Sequence, residues 1–272
     1  MILVIGRGHL GHIIADTFCA NLFNGRLEDV PDLQIDYATH IINTAGKTDL
    51  KWCEENKEEA AHVNSYLPVQ LARRAKRFST HFIQLSSGCV WQGPYKKDQE
   101  PFAPNDPPTP ACHYAVTKAN CDEELKKEFT VPGGKVSILR LRMPYSHVRS
   151  NRNLFDKLNG YKELIDTPNS VTSAKVLCDT IKNLIDQADS PLWNRITCVY
   201  DLGVTTPYQI GVKLHHAGLR DVPKRISKAN LDTWHIPKRV DTVMHDALFE
   251  KIIQPKSIGY MLDDTLSKYL NQ

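Results

Sequence analysis

The chain has 272 residues, 41% hydrophobic and 24% charged, and its 34 basic and 31 acidic side chains give a formal net charge of +3. That length supports a sizeable core in one large domain, or in a domain with a smaller lobe, and excludes a minimal binding module. The charge balance, spread without long runs, excludes an electrostatic footprint for nucleic acid or a membrane surface and leaves small-molecule chemistry as the default.

Met1-Ile2-Leu3-Val4-Ile5 runs into a glycine turn without the basic start of a signal peptide, and no apolar stretch reaches the roughly 18 residues of a membrane span. A cytoplasmic protein is expected. The 7 cysteines are irregularly spaced and form no C-x-x-C pair, so they read as reduced core residues and not as a disulfide framework or a zinc site.

Ile2 to Ile5 is the unbroken apolar run of a strand buried on both faces, followed at once by Gly6-Arg7-Gly8-His9-Leu10-Gly11 and a helical stretch from Leu10 to Cys19. Strand, glycine turn and helix in that order suit a dinucleotide, because the glycines let the backbone approach a pyrophosphate at the helix N-terminus. A second strand from Ala20 to Phe23 ends in Asn24-Gly25-Arg26, without an acidic residue to grip the ribose of NAD. Arg7 and Arg26 could instead pair with a 2′-phosphate, which favours NADP(H) and leaves NAD(H) admissible; two solvated arginines are the plain alternative.

Further strands are predicted at His40–Asn43, His81–Ser86 and Val136–Leu141, each after a helical pattern, and this alternation implies an α/β fold with a doubly wound parallel sheet. Only about 18 residues separate Phe23 from Ile41, which is tight for a strand–helix–strand crossover, so one sheet element is expected to be reduced or missing there. A single long helix is predicted from Cys53 to Arg77, with Ala61, Leu67, Leu71 and Ala75 as its apolar stripe and Asn64 either solvated or buried and hydrogen-bonded. Five prolines between Glu100 and Pro110 make a stiff loop. Beyond Tyr145 the pattern is less regular, as expected of a smaller lobe interleaved with the last strands.

After the proline loop, His113-Tyr114-Ala115-Val116-Thr117-Lys118 opens a helix on which Tyr114 and Lys118 share one face. An ammonium beside a phenol lowers its pKa, so Tyr114 is expected to exchange a proton near neutral pH. Ser86 and Ser87 close the preceding strand at the edge of the sheet where open α/β folds bind ligands. Arg140 and Arg142 alternate on a strand, so at most one reaches that edge, and Arg142 is the candidate for a diphosphate. Trp91 is expected to be a packed core aromatic, although stacking on a base or sugar is open to it. His113, His147 and the His215-His216 pair lack a ligand spacing, and no metal is expected.

These residues resemble the extended short-chain dehydrogenase/reductases, which combine a glycine-rich turn, a strand-end hydroxyl and a Tyr-x-x-x-Lys helix. The glycine turn here is one residue shorter than that family's usual G-x-x-G-x-x-G. Asn43-Thr44-Ala45-Gly46, Trp52-Cys53-Glu54, Ser87-Gly88-Cys89-Val90, Leu139 to Pro144, Asn153-Leu154-Phe155-Asp156-Lys157 and Ile165 to Thr172 narrow the resemblance to the nucleotide-sugar 4-ketoreductases that make rhamnose, nearest to the bifunctional 3,5-epimerase/4-reductases. The resemblance covers residues 1 to about 210.

It implies a Rossmann-like NADP-binding domain over 1–145 and a small interleaved C-terminal substrate lobe over 146–272, acting on a nucleotide-activated 4-keto-6-deoxy sugar to give UDP-L-rhamnose or a close relative. Gly6, Arg7, Gly8, His9, Leu10, Gly11, Arg26, Asn43, Thr44, Ala45, Gly46 and Met143 would hold the cofactor together with Tyr114 and Lys118. Tyr114 would donate a proton to the sugar ketone, Ser87 would hydrogen-bond the same oxygen, and Lys118 would hold the nicotinamide ribose. Cys89 and Lys157 would be the epimerising pair, with Arg142 and Asn153 joining Ser87 and Cys89 on the substrate. Gly88-Cys89 stands where the related dehydratases place Asp-Glu, which argues against dehydration. A reductase without epimerase activity, and a non-catalytic dinucleotide-binding subunit like that of methionine adenosyltransferase, are the alternatives. The tail from Ile226 to Gln272, with Lys238-Arg239-Val240-Asp241, offers surfaces for a homodimer.

Overall fold

The computed structural model of the chain describes residues 1–93, 100–234 and 240–272. Lys238 and Arg239 lie outside them. Six strands form the central sheet: β1 (Ile2–Ile5), β2 (Asn21–Phe23), β3 (His40–Asn43), β4 (His81–Ser87), β5 (Val136–Leu141) and, after three short strands, β9 (Arg195–Val199). Those three are β6 (Pro144–Tyr145), β7 (Glu163–Ile165) and β8 (Thr172–Ser173); β10 (Lys224–Ile226) comes last. The order across the central sheet is β2-β1-β3-β4-β5-β9, and every neighbouring pair is parallel.

The apolar runs alternate between two cores, as a sheet covered on both faces requires. Val4, Ile42, Ile83, Leu139 and Cys198 face one core. Leu3, Ile5, Ile41, Phe82, Ile138 and Ile196 face the other. Each such side chain contributes roughly 1.5–3 kcal/mol on burial.

The standard dinucleotide-binding sheet runs 3-2-1-4-5-6. Here the third strand pairs directly with the first, so one strand is missing on that edge, and the crossover from β2 to β3 carries a short 3-10 turn (Leu27–Asp29) and α2 (Asp32–Tyr37). The short spacing before Ile41 is thereby explained. The reversal of winding, and with it the ligand crevice, falls between β1 and β3.

Helix α1 (His9–Phe18) follows the glycine turn as expected. The long helix predicted from Cys53 to Arg77 is instead broken. It becomes α3 (Leu50–Glu55), α4 (Lys57–Ala61), a π-helical turn (His62–Tyr66) and α5 (Leu67–Arg77). Asn56 is the break, with φ −128° and ψ 58°, outside the helical region. Apolar spacing survives such an interruption, which is why periodicity alone reads one helix through it.

Helix α6 (His113–Lys126) carries the Tyr-x-x-x-Lys spacing, and the proline loop is pinned beside it. Trp91 Nε1 donates to the Asp106 carbonyl at 3.2 Å, and the buried indole stacks on Phe102 at 5.3 Å. Trp91 is a core aromatic. Arg140 lies over the same ring at 4.5 Å and pairs with Asp122 at 2.8 Å, both side chains fully buried.

Beyond β5 the chain builds a third core, from Tyr145, Phe155, Leu158, Leu164, Ile210, Met261 and Tyr269. It joins α7 (Leu154–Gly160), α9 (Pro207–His216) and α12 (Ile258–Leu270) to the parallel β7–β10 pair. Between these elements α8 (Ala174–Asp186) and β9 return to the central sheet. Two further helices, α10 (Lys228–Trp234) and α11 (Ala247–Ile253), precede α12. Among the described residues no helix is long and apolar enough to cross a membrane.

Candidate active site

The glycine turn is built by close approach. Gly6 has φ +109°, a conformation that L side chains rarely adopt, and a Cβ there would stand 2.5 Å from the Ala45 nitrogen. A Cβ on Gly11 would meet the Gly6 carbonyl oxygen at 1.8 Å. Gly8 is the N-cap of α1 and makes no side-chain cap, and a Cβ on it would meet only Arg152 Nη1, at 3.3 Å. Arg7, Gly8, His9, His12, Arg149 and Arg152 line a pocket of about 350 Å³ here. Backbone N–H groups and several cations converge on one space, which is the chemistry of a diphosphate site.

The β3 end closes this turn from below. Thr44 Oγ1 donates to the Ile5 and Gly6 carbonyls at 3.0 and 2.9 Å. Asn43 is fully buried; its Nδ2 donates to Gln84 at 2.8 Å and its Oδ1 accepts from the Ala45 N–H at 3.1 Å. Both side chains therefore shape the loop, and Ala45 and Gly46 present backbone. Leu10 packs its side chain on the core. His9 Nε2 shares a 2.9 Å hydrogen bond with Ser146, and burial lowers its pKa. Arg7 donates to Asn24 at the end of β2, while Arg26 is exposed and lies 3.9 Å from Glu28.

Ser87, Tyr114 and Lys118 are brought together, 7%, 8% and 4% exposed. Ser87 hydrogen-bonds Tyr114, and its Oγ accepts from the Cys89 N–H at 3.1 Å. Lys118 Nζ donates to the Leu85 carbonyl at 3.2 Å, and a Cβ on Gly46 would stand 3.6 Å from it. The expectation of a lowered phenol pKa is corrected. Burial, followed by the charge of Cys89, pushes Tyr114 up, and the hydrogen bond from Ser87 only partly opposes them. Burial also lowers Lys118. A phenol so placed stays protonated at neutral pH and serves as a proton donor.

The first turn of α6 is held from outside, because its N-cap residue Cys112 makes no side-chain cap. Glu54 Oε1 accepts from the His113 N–H at 2.7 Å. Asn64 is fully buried in the π turn; it bonds the Lys47 N–H and carbonyl at 2.8 and 3.0 Å and donates to Thr117 Oγ1 at 3.2 Å. Thr117 Oγ1 in turn donates to the Tyr114 carbonyl at 2.8 Å. Of the two environments open to Asn64, the buried one is observed. An asparagine inside an apolar helical pattern was its only local signal.

A cleft of about 930 Å³ is lined by Cys89, whose N–H bonds Ser87, together with Cys112, Arg142, Met143, Lys157 and residues of β7 and β10. Cys89 is partly exposed. Lys157 on α7 lines the same cleft. Met143 has φ 43°, a left-handed conformation that an unbranched non-glycine residue adopts only when its surroundings impose it.

Two expected substrate contacts differ. Asn153 is fully buried, with Nδ2 donating to the Ser146 and Val148 carbonyls, each at 2.9 Å, and Oδ1 accepting from the Ser146 N–H. It braces the loop between β6 and α7 and does not face the cleft. Arg142 does reach the cleft edge, as Arg140 does not, but most of its guanidinium is engaged by Asn169, Cys89 and the Val240 carbonyl. Arg149 and Arg152 were not anticipated, and Glu54 and Asn169 stood only inside motifs, without a role. Among the described residues no group of three metal-ligating side chains occurs.

The family described as the RmlD substrate binding domain matches residues 27–210. The trifunctional UDP-glucose 4,6-dehydratase/UDP-4-keto-6-deoxy-D-glucose 3,5-epimerase/UDP-4-keto-L-rhamnose reductase of Arabidopsis thaliana is 30% identical over 182 residues, which is 62% of this chain and 26% of that protein. The chain thus spans about a quarter of that relative's length. The fold matches the UDP-rhamnose synthase L780 of Acanthamoeba polyphaga mimivirus with a TM-score of 0.83 at 18% identity, over 98% and 99% of the two chains. It also matches the dTDP-4-dehydrorhamnose reductase of Bacillus anthracis in complex with NADP, TM-score 0.79 at 15% identity over 98% of each chain.

Proposed function

Because the chain belongs to the RmlD substrate binding domain family, we propose that it is an NADPH-dependent 4-ketoreductase of a nucleotide-activated 4-keto-6-deoxy sugar, and that it also epimerises that sugar at C3 and C5. The observation that carries the reading is the buried Ser87–Tyr114–Lys118 group joined, through the hydrogen bond from the Cys89 N–H to Ser87, to a cleft lined by Cys89 and Lys157.

The glycine turn, Arg7, Arg149 and Arg152 form a basic cradle that fits a dinucleotide diphosphate, and Arg7 with Arg26 suits a 2′-phosphate at the end of β2. NADPH bound there supplies the hydride for C4. Tyr114, kept protonated by burial, gives its proton to the C4 oxygen as the ketone becomes an alcohol, and Ser87 hydrogen-bonds that oxygen. Lys118, buried on the same helix, would hold the nicotinamide ribose.

Before reduction the ketone acidifies the C3 and C5 hydrogens, and the donors that steady the C4 oxygen also steady an enolate. Cys89 and Lys157 both line the cleft, on different elements, and would remove a proton from one face of the sugar and return one to the other. The domain division at residue 145 belongs to the same proposal, with the third core forming the sugar-nucleotide side of the cleft.

The test is purified protein with NADPH and UDP-, dTDP- and GDP-linked 4-keto-6-deoxyglucose in deuterated water. Cofactor oxidation with deuterium at C3 and C5 is expected. No oxidation with any of the three would refute the reductase, and oxidation without ring deuterium would remove the epimerase.

A further inference from the structure

Arg142 has a task other than gripping a diphosphate. Its guanidinium presents five N–H donors in a rigid plane. Nε and Nη2 both donate to Asn169 Oδ1, at 2.9 and 2.7 Å, and Nη2 also donates to the Val240 carbonyl. Nη1 donates to Cys89 Sγ at 3.3 Å. Asn169 is itself immobile. It is fully buried, its Nδ2 donates to the Thr167 carbonyl, its Oδ1 accepts from the Thr242 N–H, and its backbone is bonded in both directions to Thr205. The plane of the guanidinium is therefore fixed, and the direction of Nη1 with it.

The charge of Arg142 is arranged unlike that of its neighbour. Arg140, two residues earlier and within β5, is neutralised by Asp122 at 2.8 Å. Among the described residues Arg142 forms no ion pair with a carboxylate, and the acceptors around it are an amide oxygen, a carbonyl oxygen and one sulfur. The sulfur alone among these can carry a negative charge. A half-buried cation held by neutral groups and aimed at a thiol is the environment that favours a reactive cysteine.

We propose that Arg142 is the positioning residue for Cys89, holding the sulfur at the cleft and carrying its charge during proton transfer; this rests on the epimerase reading of Cys89. When Cys89 acts as the acid, its S–H bond breaks and the proton goes to the enolate carbon. The enolate electron pair forms the new C–H bond, the C4 ketone is restored, and the S–H electron pair remains on sulfur against the guanidinium. In the reverse direction the thiolate takes the carbon-bound proton, and the substrate becomes the enolate. Either way one of the two states has its charge on Sγ, and Arg142 stabilises that state. The pairing also gives a role to the Ile165 to Thr172 run, since Asn169 in it fixes the guanidinium.

The contact is read without substrate by the rate at which iodoacetamide alkylates Cys89 in the full chain at neutral pH, resolved by peptide mass spectrometry. Arg142→Gln is expected to slow labelling at Cys89 by about tenfold, and Arg142→Lys, which keeps the charge, to retain most of the rate. Buried Cys121 and Cys198 should stay unlabelled throughout and so report an intact core. Should Arg142→Gln expose them, Asn169→Ala replaces it, because it frees the guanidinium from its anchor and is expected to slow Cys89 labelling too. Equal rates in wild type and the variant, with Cys121 and Cys198 protected, overturn the proposal. Deuterium exchange at C3 and C5 in Cys89→Ser separates the two ideas: loss supports the epimerase reading, and retention refutes that reading whatever the labelling shows.

Discussion

Substituting Gly11 by alanine tests how the cofactor turn is built. A Cβ at Gly11 would stand 1.8 Å from the Gly6 oxygen and 2.8 Å from Thr44 Oγ1, whereas separations below 3.0 Å essentially never occur, so the turn must open by about 1.2 Å (3.0 − 1.8). It cannot do so alone, because Thr44 Oγ1 also donates to the Gly6 and Ile5 carbonyls and ties the turn to the end of β3. Overpacking of this kind costs about 1–3 kcal/mol, and for a domain of this size each kcal/mol lowers Tm by roughly 2–4 °C. Opening the cradle also pulls a backbone N–H away from the diphosphate, and a lost hydrogen bond to a charged group, worth about 1.5–3 kcal/mol, weakens NADPH binding by about tenfold to a hundredfold. Gly8→Ala is the control for stability, since in the chain itself its Cβ meets only the far end of the Arg152 side chain. Thermal unfolding and fluorescence titration with NADPH read both quantities. A Gly11→Ala protein that melts with Gly8→Ala and binds NADPH within twofold of wild type would refute this description of the turn.

Three further outcomes are expected. Tyr114→Phe should lower the rate of ketone reduction by about 10²–10⁴, the usual worth of a positioned general acid, measured as single-turnover NADPH oxidation; a near-normal rate would assign the proton to another group. Asp122→Ala leaves the fully buried Arg140 guanidinium without its carboxylate, and denaturant unfolding should show a loss of about 3–5 kcal/mol. Asp201 is fully buried against Tyr145 and Ser173, and burial pushes its carboxyl from 3.8 up to about 6. Between those values the folded chain keeps a proton that the unfolded chain releases, so stability falls as the pH rises through the window and levels off above it. Relative to Asp201→Asn, that fall should amount to about 3 kcal/mol in urea unfolding, and a flat difference would contradict it.

The parts of the fold that are local in sequence were legible. Ile2 to Ile5 with the glycine turn, the strands at His40, His81 and Val136, and the pairing of Tyr114 with Lys118 on one helix face depend on spacing that neighbouring residues set. The brief segment before Ile41 also showed its meaning, a lost strand, because chain length limits what a crossover can hold. Contacts closed by distant residues were not legible. Nothing near Arg142 indicates that Asn169 and Val240 will hold its guanidinium, and nothing near Asn153 indicates that its amide is engaged by Ser146 and Val148. The Asn56 break was hidden because apolar periodicity continues on both sides of it. The Tyr114 pKa was misjudged for a related reason: helix spacing points to Lys118, whereas the dominant influence is burial, which comes from the whole fold.

The most direct measurement uses NADPH deuterated at the transferring position of the nicotinamide with a UDP-linked 4-keto-6-deoxy sugar, followed by location of the label in the product. One deuterium per turnover at C4 in wild type, and none in Tyr114→Phe over the same interval, is the expected result. A product unlabelled at C4, or label transferred equally fast without the Tyr114 hydroxyl, would contradict reduction by the Ser87–Tyr114–Lys118 group.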